Sequence, residues 1–230
     1  MRVLGILPVR AGSKGIPGKN VRLLNGRPLM EWSGLALLNA NGLDRVICST
    51  DDELMAETAR KIGLEVPFLR PKELADDISR IVDVIIHAIN FFKEQGEYYS
   101  HIALVQATSP TVSNIDIEKA IRLALEEELD TVISGYEISS QHPNLMFTIN
   151  KNNRCDWLYN NKKEEARRQD YEKIYVRTGL VYIIKTDIIE SNKKLYGDNI
   201  GFIQIDEDRS ITIDTESDFL RAEDWMKKNG

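Results

Sequence analysis

Residues 3–20 read VLGILPVRAGSKGIPGKN. An almost unbroken apolar run over residues 3–9 gives way to a segment, residues 10–20, that holds three glycines, an arginine and two lysines. A run that is apolar throughout is what a strand buried on both faces requires. In an open α/β sheet, ligands sit beyond the carboxyl ends of the strands. The junction therefore predicts a first central strand whose loop faces a ligand.

The rest of the chain supports that frame by alternating strand-like and helix-like segments. Residues 28–42 have helical spacing and stop at Asn41-Gly42. A strand is expected over residues 45–50, a helix from a cap at Asp51 to a stop at Gly63, and a third short strand over residues 65–69. An apolar helix over residues 79–96 and a buried strand over residues 101–107 follow. Next come a helix over residues 114–128, with Asn114 or Asp116 near its start, and a strand over residues 131–138. Strands return over residues 180–189 and 201–205, and a helix over residues 215–229, capped by Thr215, closes the chain. This order implies an α/β fold with a mainly parallel sheet and helices on both faces. Residues 139–178 break the pattern: they are polar and lack long apolar runs, so they read as an arm inserted into one domain spanning residues 1–230.

Composition narrows the function classes. With 42% apolar residues among 230, the chain can bury a sizeable core. A net charge of −6 argues against a nucleic-acid partner, since phosphate backbones select basic surfaces. The two cysteines, Cys48 and Cys155, lie far apart without CxxC spacing, so neither a disulfide framework nor a zinc site is expected. No apolar run approaches the ~18 residues of a membrane span, and no signal segment precedes the first strand. A cytoplasmic location with no membrane partner is the expectation.

The opening loop is where positive charge concentrates. Glycines let the backbone turn tightly and approach a ligand, and free N–H groups in such turns form anion-binding nests. Arg10, Lys14 and Lys19 add full charges, and the whole suits a polyphosphate. Two common phosphate motifs fail: in GxxxxGK[ST], Ser13 stands at the first glycine and Asn20 at the Ser/Thr. GxGxxG fails because Gly12 and Gly15 lack a third glycine at the required offset. A solvated basic turn is the plain alternative.

Five stretches, in order, make the chain recognisable. LPVRAGSKGIPGKN (7–20) resembles the nucleotide-binding signature of the CMP–sialic acid synthetases, the acylneuraminate cytidylyltransferases. STDDELMAETARKIGLEV resembles that family's second strand and helix, LRPKELADD (69–77) its RPxELAxD segment, LVQATSP (104–110) its LLQPTSP turn, and ITIDTESDF (211–219) its IDIDTExD motif. The resemblance spans nearly the whole chain. It implies a Rossmann-like nucleotidyltransferase fold with an inserted dimerisation and substrate arm, CTP and an acidic sugar as substrates, Mg²⁺ (or Mn²⁺) dependence, and a homodimer.

It also implies roles. In the family's reaction a sugar hydroxyl attacks the α-phosphate of a nucleoside triphosphate and pyrophosphate leaves. Lys19 and Lys14 would hold phosphates together with the amides of Ala11, Gly12, Ser13 and Gly15. Arg10 would contact base, ribose or phosphate, and Asn20 phosphate or ribose. Arg70 matches a nucleotide-contacting arginine, with surface pairing to Glu73 or Asp76 as its alternative. Ser79 alone fits the small hydroxyl residues that help read cytosine, because Arg80 and Ile81 follow it. Gln106 matches a sugar-contacting glutamine, and Ser109 shapes the turn or contacts substrate. Arg168 and Gln169, with the displaced Arg177 and with Thr178 in place of an asparagine, match the segment that binds the sugar's carboxylate, and Tyr182 packs the sugar or simply belongs to the strand. Asp214 is the metal ligand, or else a helix cap. Thr212 stands where the family carries a second aspartate, which leaves Asp206 or Asp208 to compensate. A different sugar or nucleotide, and a nucleotide-binding module impaired in catalysis, are the alternatives. His87 reads as structural, His101 starts a strand, His142 is a turn residue of the arm or else faces substrate, and Cys48 reads as a core residue. Phe147, Trp157, Tyr159, Tyr171 and Tyr175 in the arm need a surface to bury against, which is the sequence argument for a dimer.

Overall fold

The computed structural model describes residues 1–12, 15–76, 78–138, 142–158 and 172–229. Ten strands are present among them: β1 Val3–Pro8, β2 Leu23–Leu24, β3 Arg27–Pro28, β4 Arg45–Ser49, β5 His101–Leu104, β6 Thr131–Glu137, β7 Phe147–Ile149, β8 Cys155–Trp157, β9 Tyr175–Lys185 and β10 Ile200–Gln204. The helices are α1 Leu29–Leu38, α2 Glu53–Ile62, α3 Ile81–Glu94, α4 Asn114–Glu126, α5 Thr186–Asn192 and α6 Glu216–Asn229. Six strands form the central sheet in the order β10-β6-β9-β5-β1-β4. Its pairings are parallel except that β9 runs antiparallel between β5 and β6.

β1 occupies the interior of the sheet, and its side chains alternate between two cores. Val3 and Leu7 join one core with residues of α1, α2 and α4, whereas Leu4 and Ile6 join the other with residues of α3 and α5. Burying a side chain such as Phe92 of α3, 1% exposed, contributes roughly 2–3 kcal/mol. A third cluster matters for the site. Ile16 of the opening loop packs with Leu24, Ile211, Ile213 and Phe219, so the loop is tethered to the C-terminal helix.

Helix ends follow their local chemistry. Asp52, rather than Asp51, caps α2 by accepting from Met55 N at 3.0 Å, and Gly63 ends it in the left-handed conformation (φ 101). Ser113 and Asp116 form a reciprocal capping box on α4. Thr215 caps α6 as expected: its Oγ1 accepts from Asp218 N at 3.3 Å while its own amide donates to Asp218 Oδ2 at 2.9 Å.

Two expected strands change. Residues 65–69 make only isolated bridges, Ile47 with Glu65 and Thr50 with Leu69, because Pro67 has no N–H for a ladder. The strand expected over residues 180–189 starts earlier, at Tyr175, and ends at Lys185. There Thr186 turns the chain into α5, donating from N to Ser100 O (2.9 Å) and from Oγ1 to Tyr99 O (2.7 Å).

Candidate active site

A cleft of about 490 Å³ opens at the carboxyl ends of β1 and its neighbours. Its floor is Pro8 and Val9, at the end of β1, and Arg10, Gly15, Lys19 and Asn20 of the following loop overhang it. One wall is Gln106, Ala107, Thr108 and Asp214; the other is Arg70, Leu74, Asp76, Ser79, Ile81 and Val84. The two walls stand on opposite sides of β1, since the first continues from β5 and the second is joined to the β4 end through Arg70 N, which donates to Thr50 O at 2.7 Å.

Lys19 is fixed before any ligand arrives. Its Nζ donates to Ile213 O at 2.6 Å and to Asp214 Oδ1 at 3.1 Å, and its side chain is only 12% exposed. The segment that supplies these acceptors is itself fastened to the turn after β5, since Ile213 N donates to Thr108 O at 2.8 Å. Gly15 permits this closure. A Cβ there would lie 2.4 Å from Asp214 O, so the loop passes the C-terminal segment too closely for any side chain. Gly18 (φ 66) supplies the left-handed turn that starts the 3-10 helix Lys19–Val21. Asn20 is 5% exposed and closes the loop on itself by donating from Nδ2 to Arg10 O at 3.0 Å; its Oδ1 is buried without a partner among the described residues. Ser13 and Lys14 lie outside the described residues.

On the second wall Arg70 is 5% exposed and pairs with neither Glu73 nor Asp76. It donates to Val9 O at 3.0 Å and approaches Asp51 Oδ1 at 3.4 Å. Burial pushes its pKa down and Asp51 opposes that shift. Asp51 also accepts from Ala11 N at 3.4 Å, so one carboxylate joins the loop to Arg70. Sequence reasoning placed Asp51 at a helix cap and missed this role; the adjacent Asp52, equally suited to capping, was the signal that one of the two was free for other work. Arg10 donates from Nη1 to Asp76 O at 3.1 Å, and Ser79 Oγ donates to Glu73 O at 3.0 Å and contacts Asp76 Oδ1. Arg80 turns away to Asp83, donating at 2.9 and 2.8 Å and pulling that carboxyl below its usual range. Ile81, by contrast, faces the cleft.

The residues expected on the sugar side divide. Gln106 lines the cleft, with its carbonyl held by Ser33 Oγ at 3.0 Å. Ser109 has no exposed surface; it donates to Gly179 O at 3.3 Å and its carbonyl accepts from Ser33 Oγ at 3.1 Å, so it braces the turn. Thr178 is buried against Ser134 Oγ at 2.7 Å. Arg177 Nη1 bonds Tyr182 Oη at 3.1 Å and also the Tyr196 hydroxyl, with its guanidinium over both rings. None of Ser109, Arg177, Thr178 and Tyr182 lines the cleft. Arg168 and Gln169, and the aromatics Tyr159 and Tyr171, lie outside the described residues.

The metal question turns on Asp214. Its side chain is 74% exposed at the cleft, with Oδ1 on Lys19. Thr212, Asp206 and Asp208 are not among the cleft's lining residues, and no group of three or more acidic, histidine or cysteine side chains able to hold a metal occurs among the described residues. The donor set fits an ion shared between one carboxylate and substrate phosphates, the usual magnesium arrangement, and not a preformed protein cage. Away from the cleft, His87 stacks edge-on against Phe68 (4.6 Å) and burial pushes its pKa down. The buried Cys48 thiol is pushed up to about 12, chiefly by burial. Among the described residues no helix is long and apolar enough to cross a membrane.

Comparison with known proteins bears directly on this cleft. The cytidylyltransferase family model matches residues 4–228. The chain is 31% identical over 238 residues to the CMP-N,N'-diacetyllegionaminic acid synthase of Legionella pneumophila, covering 100% of this chain and 98% of that protein. It is 32% identical over 183 residues to the pseudaminic acid cytidylyltransferase of Campylobacter jejuni, covering 79% and 78% respectively. Among solved structures, a CMP:2-keto-3-deoxy-manno-octonic acid synthetase complexed with CTP shares the fold over 100% of both chains, with a TM-score of 0.75 at 15% identity.

Proposed function

The chain belongs to the cytidylyltransferase family, and from that premise we propose that it activates a sialic acid-like nonulosonic acid with CTP, giving the CMP-sugar and pyrophosphate. The observation that carries this reading is Lys19. A buried-stemmed ammonium, fixed on Ile213 O and Asp214 at the mouth of a glycine loop, is placed to meet phosphate oxygens. The relatives named for legionaminic and pseudaminic acids support the class of sugar.

In this reaction the sugar's anomeric oxygen forms a bond to the α-phosphorus and the bond from that phosphorus to the bridging oxygen of pyrophosphate breaks. The chain's contribution is to align the two oxygens and offset the charge that develops between them. Lys19 and the loop amides hold phosphate, Arg70 and the second wall hold the nucleoside, and Gln106 faces the acceptor. Asp214 would hold Mg²⁺ together with the nucleotide's phosphates, and the ion would supply charge neutralisation there. Because Lys19 shares Asp214 Oδ1, both cations would meet the same phosphates from one side.

The working unit is proposed to be a homodimer in the cytoplasm. The support is a face that water should not keep: Phe147, Ile149, Trp157 and Leu158 are 46%, 64%, 55% and 54% exposed on and beside the β7–β8 hairpin. Exposed aromatics gathered on one short ribbon are typical of protein interfaces. The test is direct. Purified protein is incubated with CTP, magnesium and a panel of nonulosonic acids, and pyrophosphate release and CMP-sugar mass are followed. No release with any acid sugar sinks the reading, and a monomer by light scattering at assay concentration sinks the dimer.

A further inference from the structure

The second wall of the cleft carries three apolar side chains that have no role in the reading so far. Leu74, Ile81 and Val84 present apolar side chains there, across β1 from Lys19 and Asp214. A nucleotide lying over β1 with its phosphates on the cationic loop brings its flat base against those three side chains, since the base faces want apolar cover and the phosphates do not. The edge of the base then needs polar partners. Ile81 has none to offer. Ser79 Oγ is committed to Glu73 O at 3.0 Å and to Asp76 Oδ1. Arg70 is a donor only.

Among the described residues, the carboxylate on that wall is Asp76. Its placement is rigid for an exposed residue: Arg10 Nη1 holds its carbonyl at 3.1 Å, Ile78 N donates to Oδ1 at 3.2 Å, and Ser79 Oγ contacts the same oxygen. Oδ2 has no hydrogen-bond partner among the described residues. We infer that Asp76 reads the base: its free carboxylate oxygen accepts from the exocyclic 4-amino group of cytosine and so selects a 4-aminopyrimidine over uracil. An ionised carboxylate only accepts. Cytosine offers it two N–H donors at position 4, where uracil offers a carbonyl oxygen, and two acceptors face to face cost a bond on each side. Because Oδ1 is tied down by Ile78 and Ser79, the carboxylate cannot rotate away to relieve that clash without breaking both bonds.

This inference rests on the reading of the chain as a CTP-dependent enzyme, and its test is built on binding so that the two can fail separately. Equilibrium binding of CTP, UTP and the triphosphate of 2-pyrimidinone riboside, which has hydrogen in place of the 4-amino group, is measured without sugar. The proteins are the wild type and the Asp76→Asn and Asp76→Ala variants. A hydrogen bond to a charged group sets the expected size: the wild type prefers CTP to the 2-pyrimidinone analogue by ~10- to ~100-fold. Both variants lose most of that preference, and Asp76→Asn, whose amide can donate to the uracil carbonyl, gains in affinity for UTP. Equal losses for all three nucleotides would make Asp76 a structural residue only and overturn the inference. So would an undiminished CTP preference in both variants. Should neither variant fold, a wild type that binds CTP and the analogue equally overturns it by itself. CTP-selective binding without pyrophosphate release on any acid sugar would instead refute the proposed reaction and leave Asp76 as base reader.

Discussion

Replacing Gly15 with alanine adds one methyl group at the point where the loop after β1 crosses the C-terminal segment. That methyl would lie 2.4 Å from Asp214 O. Close C···O contacts between protein atoms settle at about 3.3 Å, so the two backbones must part by about 1 Å. Neither side is a flexible side-chain end that can swing clear. The Asp214 segment is held through Ile213 N on Thr108 O, and the loop by Ile16 in the cluster with Ile211, Ile213 and Phe219. Overpacking of this kind costs ~1–3 kcal/mol, which in a chain of this size lowers the melting temperature by about 2–4 °C per kcal/mol. The functional cost is larger. The same separation pulls Lys19 Nζ off Ile213 O and Asp214 Oδ1, which it meets at 2.6 and 3.1 Å. A displacement of ~1 Å in a positioned group costs ~10²-fold in rate. The assay pairs thermal melting with pyrophosphate release under saturating CTP and sugar. Gly12→Ala is the control for melting, because, its chain neighbours aside, no atom of the described residues lies within 4 Å of its added Cβ. A Gly15→Ala protein with wild-type melting temperature and wild-type turnover would refute the argument that this contact sets the loop.

Other consequences are testable in the same preparations. Lys19→Ala should lower turnover ~10²-fold, the size of one lost transition-state charge contact, while circular dichroism stays native. Asp214→Asn should abolish the response of pyrophosphate release to added magnesium; full turnover in chelator would exclude this metal assignment. With a thiol reagent, Cys155, exposed on β8, should react at once in the folded chain, whereas Cys48, buried and with its pKa pushed up to about 12, should react only after denaturation; two fast thiols would contradict the buried placement. His87 and His101 both have pKa values lowered mainly by burial. The unfolded imidazoles, near 6.5, take up protons that the folded ones resist, so this contribution to stability is complete above about pH 6.5 and is lost as the pH falls toward the folded values. Urea midpoints should drop between pH 7.5 and 5.5, and drop less when both histidines are replaced by glutamine.

Local chemistry explains which parts of the fold were legible in the sequence. The run at residues 3–9 announces a central strand because burial on both faces leaves no polar position, and Val3, Leu4, Ile6 and Leu7 are all at most 1% exposed. Gly63 and Thr215 mark helix ends because left-handed turns and hydroxyl caps have sequence-specific costs. The direction of β9 was not legible. The strand expected over residues 180–189 reads the same in either orientation, and only the pairing of β9 with β5 and β6, through Leu104 with Tyr182 and Val132 with Ile183, decides it. The strand expected over residues 65–69 shows the opposite limit, where hydrophobicity pointed to a ladder that Pro67 cannot donate to.

The site divides along the same line, between what a few neighbouring residues settle and what the topology assembles. The cationic glycine loop makes a phosphate site the expectation from sequence because its charges and turns are contiguous. Lys19 and Asp214, in contrast, are 195 positions apart, and no spacing rule joins them; family resemblance nominated Asp214, and the geometry then brought it within 3.1 Å of the lysine. Asp51 and Asp52 show how such assembly overrides local preference. Either could cap α2 by residue type. Asp51 lies 3.4 Å from a guanidinium that is 5% exposed, and leaving that charge buried without its carboxylate would cost several kcal/mol, more than the ~1 kcal/mol a cap is worth. The pairing with Arg70 therefore claims Asp51, and capping falls to Asp52, whose carboxylate accepts from Met55 N. The same ranking of energies explains why Arg70 does not reach out to Glu73 or Asp76: a surface pair is worth at most ~1 kcal/mol. That leaves one oxygen of Asp76 without a partner among the described residues, on the wall where a base would lie.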